Sequence, residues 1–119
     1  MEKRFNPGDF LFFQLEAGFA IIRVIGIDLM DGDVIWHIVA YDDLFPDIDS
    51  IESAIENPEL LSIAIPQIAL TSRAFESTQV AEIGNVPVSD IESEILSKWR
   101  NDPDRPVSDR SIRLHLGLR

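Results

Sequence analysis

Phe10-Leu11-Phe12-Phe13-Gln14-Leu15, Phe19-Ala20-Ile21-Ile22-Arg23-Val24-Ile25-Gly26-Ile27-Asp28 and Asp33-Val34-Ile35-Trp36-His37-Ile38-Val39-Ala40-Tyr41 are three aromatic and β-branched runs separated by turn signals. Residues of this kind favour the pleated, half-buried surface of a strand. Pro7-Gly8-Asp9 precedes the first run. Glu16-Ala17-Gly18 separates the first from the second, at a spacing that suits a hairpin in which Gly18 takes a positive φ. Asp31-Gly32, the pair favoured in tight hairpin turns, separates the second from the third. The three runs therefore predict a three-stranded antiparallel meander. Gly26, inside the second run, predicts a bulge or bend of the kind that curls a small sheet toward a barrel.

Downstream the pattern changes. Asp42-Asp43-Leu44-Phe45-Pro46-Asp47-Ile48 is turn-rich, and Asp49 with Glu52 reads as a capping box opening a short helix near 50–56, ended by Asn57-Pro58. Leu60 to Ser72 alternates around Pro66, which predicts one bent strand or two short ones at a sheet edge. Thr78 to Gly84 is a further strand candidate. Ser89-Asp90-Ile91-Glu92 is a second capping box, and Ile91, Ile95, Leu96 and Trp99 share one stripe, which predicts a longer helix near 90–100. Ser111 to Arg119 reads equally as a strand, from its alternation, or as a short helix capped by Ser108 and ending at Gly117. The expected fold class is α+β, a curled antiparallel sheet or small SH3-like barrel with two helices, in a single domain over 1–119.

At 119 residues with 45% hydrophobic side chains, the chain is long enough to bury a core without disulfides or metal, and it has no cysteine to form either disulfides or thiolate sites. Its apolar runs are too short to span a membrane as helices, and Met1 to Asp9 holds no apolar signal segment, so the expected location is the cytoplasm. Ten Lys and Arg against 21 Asp and Glu give a net charge of −11, which argues against binding to phosphate backbones. The acidity is regional. Residues 24–72 contain ten carboxylates and no Lys or Arg, whereas Arg100, Arg105, Arg110, Arg113 and Arg119 supply half the cations. The simplest expectation is that the tail packs beside the acidic segment and softens its self-repulsion, with Arg110 and Arg113 in ion pairs there.

The residues offer little catalytic chemistry. His37 and His115 are the only histidines, and neither has a metal-ligand spacing; the serines lack a nucleophile-elbow motif, and the isolated glycines match no phosphate cradle. No catalytic residue, metal or cofactor is expected. Asp42, Asp43, Asp47, Asp49 and Glu52 fall within eleven residues, but their spacing departs from a calcium loop. They are the candidate partner-binding residues.

The opening Asn6-Pro7-Gly8-Asp9-Phe10, with Gly18-Phe19-Ala20 and Arg23-Val24-Ile25, resembles the start of the family called immunity protein 26, bacterial antidotes to polymorphic toxins. The similarity covers about the first forty residues, with an echo at Ala81 to Pro87. It implies a small non-catalytic binding domain of bacterial origin.

Two functional expectations follow. In the first, the protein is an interaction or regulatory domain that presents the acidic segment from Asp42 to Glu59 to a basic protein partner. In the second, it is a small ligand-binding or enzymatic barrel whose pocket is formed by Trp36, His37 and Tyr41 with the adjacent Asp42 and Asp43. A homodimer joined through exposed sheet edges is compatible with either.

Overall fold

The computed structural model describes residues 5–117. Strands β1 (Asp9–Leu15), β2 (Gly18–Met30), β3 (Asp33–Phe45), β4 (Ile63–Thr71) and β5 (Ala81–Asn85) form one antiparallel sheet in the order β4-β3-β2-β1-β5. The meander is as expected. Asp31 and Gly32, at φ 52° and 86°, make the two-residue turn that lets Met30 pair with Asp33. Gly18 has φ +146°, and a β-carbon on it would lie 2.6 Å from the carbonyl oxygen of Phe45. The sheet is open: β4 and β5 are its edges, so no barrel closes.

Gly26 sits beside a register shift in the β2–β3 pairing, the expected bulge, and a β-carbon there would overlap Leu96 Cδ2. The glycine thus bends the strand and also makes room for a helix. The third strand runs past Tyr41 to Phe45, because Leu44 and Phe45 still pair with Ala20 and Phe19 of β2. Leu60 to Ser72 resolves into a 3-10 turn (Pro58–Leu60) followed by the single edge strand β4, in which Pro66 falls at a register shift of the pairing with β3, a position where proline is tolerated.

The remaining elements cover both faces of the sheet. Helix α1 (Ile48–Ile55) lays Ile51 and Ile55 on one face with Phe10, Ile21, Ile25, Val39 and Tyr41. Its cap is Asp47, not Asp49: Asp47 is extended at φ −154° and accepts from the Ser50 N–H at 2.8 Å. Asp49 therefore lies in the first turn, where the helix N-terminus favours a carboxylate. On the opposite face, helix α2 (Ser72–Glu76) and helix α4 (Ile112–His115) add Ala74, Phe75 and Ile112 to a core of Leu11, Phe13, Ile22, Val24, Trp36, Ile38 and Leu70. The tail is thus helical rather than a strand. Ile112 and Leu116, four apart, face the core while Leu114 is exposed, and the cap is Ser111, not Ser108. Ser108 instead pairs with the edge of β4, donating to the Ala69 carbonyl at 2.8 Å and accepting from the Thr71 N–H at 3.0 Å.

Helix α3 (Asp90–Asn101) opens with the expected Ser89/Glu92 capping box. It lies on the same face as α1 and is tied to the sheet at its start, middle and end. In the middle Leu96 fits over Gly26. At its start, Glu92 meets Arg23 of β2, whose side chain is 3% exposed. Arg23 Nε donates to Glu92 Oε2 at 2.9 Å, and its terminal nitrogens donate to the carbonyls of Gly8, Val86 and Pro87. At its end, Trp99 packs with Ile35 and Ala69, and its indole N–H reaches the Pro106 carbonyl at 2.9 Å. Ile91, expected on the buried stripe, is 72% exposed, because the helix faces the sheet through Leu96 and Trp99. Among the described residues no helix is long and apolar enough to cross a membrane.

Candidate functional site

The residues named as a pocket do not share one. Neighbours on a strand point to opposite faces, and Trp36 and His37 obey that rule. Trp36 stacks on Phe75 at 4.4 Å, and its indole N–H donates to Ser72 Oγ at 3.1 Å, on the α2 side. His37 lies beneath α3 on the other side, fully buried and edge-on to Trp99 at 4.4 Å. Tyr41 shares the face of His37 but belongs to the cluster with Phe10. Its phenol is pushed up to about 12, first by burial, with Glu92 raising it further and Arg23 opposing.

His37 anchors a polar chain that crosses four elements. Its Nδ1 accepts from the Gln67 amide at 3.1 Å, which leaves the proton on Nε2 to be donated to Asp28 Oδ2 at 2.9 Å. Asp28 also accepts from Arg100 through both oxygens, at 2.9 and 3.1 Å. Burial holds the imidazole below its ordinary value of 6.5, with Arg100 acting the same way and Asp28 only partly opposing. For Asp28, burial pushes upward, but the hydrogen bonds from Arg100 and His37 outweigh it and leave the carboxyl below 3.8. A neutral imidazole with both nitrogens engaged and no exposed surface ties strands to a helix and has no room to act on a substrate.

A pH dependence follows from these directions. Both folded values lie below the unfolded ones, so the stabilisation is complete above 6.5 and is lost as pH falls toward the folded value of His37; Asp28 adds a further loss below 3.8. Urea unfolding followed from about pH 7.5 down to about pH 5 is expected to show declining stability, with a flatter profile in His37→Gln. An equally steep decline in the variant would remove His37 as the source.

The acidic segment is arranged differently. Asp42, Asp47, Asp49, Glu52, Glu56 and Glu59 are exposed and Asp43 is half-buried. Three of the five named carboxylates have local bonds. Asp47 caps α1, and its hydrogen bonds to Ser50 hold its carboxyl below the ordinary value. Asp43 Oδ2 accepts from the Ser62 N–H at 2.8 Å, and Asp42 Oδ2 meets Ser62 Oγ at 3.4 Å. These bonds, with the Asp42 N–H to the Ser62 carbonyl at 2.8 Å, fasten the end of β3 to the start of β4.

The tail answers this acidity only in part. Arg100 reaches Asp28 within the cation-free stretch, and Ser108 lies beside β4. Among the described residues, however, every ion pair lies outside 42–59: they join Arg23 to Glu92, Arg73 to Asp109 and Arg100 to Asp28. Arg113, expected opposite the acidic segment, donates to the Gln14 carbonyl at 3.5 Å. Arg110 is exposed, and its backbone N–H bonds Ser108 Oγ at 3.1 Å. Arg119 lies outside the described residues.

The same segment also exposes apolar surface. Leu44, Ile48, Leu60 and Ile63 are 51, 43, 81 and 55% exposed, so four of the seven large exposed hydrophobics fall between 44 and 63. Sequence reasoning marked the carboxylates and overlooked these neighbours. Among the described residues no three His, Asp or Glu converge to hold a metal ion. No protein-family model, curated protein or solved structure matches the chain.

Proposed function

We propose that the protein is a non-catalytic interaction domain that offers the surface from Asp42 to Glu59 to a basic protein partner. The observation that carries this reading is the coincidence, between residues 42 and 63, of seven carboxylates outside any ion pair among the described residues with four exposed large aliphatic side chains. Exposed charge of one sign steers a cationic partner, and apolar patches rimmed by polar groups mark protein-binding surfaces. The resemblance of the first strands to immunity protein 26 supports the same class of function, a cytoplasmic bacterial inhibitor or antidote acting by binding.

The test is quantitative capture of native-host proteins by the wild type and by a variant carrying Asp42→Asn, Asp43→Asn, Asp49→Asn and Glu52→Gln, with the Asp47 cap left intact. A basic protein retained by the wild type is expected to be lost by the variant, and to bind about tenfold or more weakly as salt is raised toward 1 M, where the screening length falls to about 3 Å. A partner held equally by both proteins at all salt concentrations would defeat the proposal.

A further inference from the structure

A cleft of about 250 Å³ opens between the end of β3, α1 and the 3-10 turn, with Phe45, Ala54, Leu60 and Leu61 as apolar walls and Asp43 and Asn57 as polar ones. We propose that it receives one apolar side chain of a cationic partner segment, with Asp43 pairing a lysine or arginine adjacent to that side chain; this rests on the acidic-surface reading above.

Three features define the occupant. The volume is below the range of about 300–1,000 Å³ usual for small-molecule sites, so it suits a single leucine or phenylalanine rather than a metabolite. Leu60 is 81% exposed at the wall, so an incoming aliphatic group would bury surface on both sides. Asp43 is fixed by the Ser62 N–H through Oδ2, and its Oδ1 makes no hydrogen bond among the described residues. With no Lys or Arg between residues 24 and 72, a cation reaching Asp43 meets no like charge along that stretch. Charge alone would attract any basic protein; an apolar anchor beside the charge is what selects among them.

The experiment uses the full chain and two short lysine-rich peptides, identical except for a central leucine or glycine. The leucine peptide is expected to bind about tenfold more tightly, the effect of burying one aliphatic side chain. Amide chemical-shift changes are expected at 43, 54, 57 and 61. Ala54→Phe, which fills the cleft, and Leu60→Ser, on an exposed turn, are each expected to bring the leucine peptide down to the affinity of the glycine peptide. Equal affinities for the wild type, with shifts spread over 42–59, would overturn the cleft and leave the acidic-surface reading standing. Failure of both peptides to bind at low salt would overturn both.

Discussion

Replacing Arg23 with leucine is expected to lower the folding free energy by about 3–5 kcal/mol, the loss typical when one member of a buried ion pair is removed. For a domain whose total stability is of the order of 5–15 kcal/mol, that is enough to unfold a large share of molecules under mild stress. Leucine would fill part of the volume next to Phe10, over whose ring the guanidinium lies at 4.6 Å. It would not satisfy the acceptors left behind, namely the carbonyls of Gly8, Val86 and Pro87 and the Glu92 carboxylate. Each of these is at least partly withdrawn from water, and an unmet buried acceptor costs about 1–3 kcal/mol. Arg23→Lys should recover only a fraction, because one ammonium cannot span acceptors that lie around a planar fork. Urea denaturation measures both variants. A loss below about 1 kcal/mol for Arg23→Leu would mean that water replaces the guanidinium at this site.

That residue also shows where sequence reading stops. The meander was legible because its information is local: Asp31-Gly32 specifies its own turn, and the β-branched runs specify their own extension. The Ser89/Glu92 box likewise carries the start of α3 within four residues. Arg23 did leave a signal, a lone cation inside Ile21-Ile22-Arg23-Val24-Ile25, since a charge in a run bound for the core must be paired. Its partner Glu92, however, lies 69 residues away, and Arg100 lies 72 from Asp28, so neither tie could be read from spacing. Asp47 and Asp49 are equally good caps by residue type, and only the fold decides between them. The acidic segment was legible as charge. That it also exposes Leu44, Ile48, Leu60 and Ile63, and that Arg100 and Arg113 reach other parts of the fold, depended on the packing of the whole sheet.

Trp99→Ala is expected to destabilise the protein by about 3–5 kcal/mol, the usual range for truncating a buried aromatic residue, while making its stability less sensitive to acid. The indole is 7% exposed and joins three things: the end of α3, the Pro106 carbonyl on the tail, and the edge contact to His37. Losing it opens a cavity against Ile35 and Ala69 and admits water to the imidazole. Burial is the largest cause of the lowered His37 value, so hydration should bring that value back toward 6.5. The gap between unfolded and folded values then narrows, and with it the stability lost as pH falls below 6.5. The Asp28 contribution below 3.8 should persist, since Arg100 still reaches that carboxylate. Urea unfolding across this pH range, combined with titration of the His37 ring signals by NMR, separates the two effects. Full destabilisation with an unchanged His37 titration would show that Gly26, Leu96 and the strands alone keep the imidazole dry. A stability close to wild type would show instead that the Arg23–Glu92 and Arg100–Asp28 ties at the two ends of α3 suffice to hold the helix on the sheet.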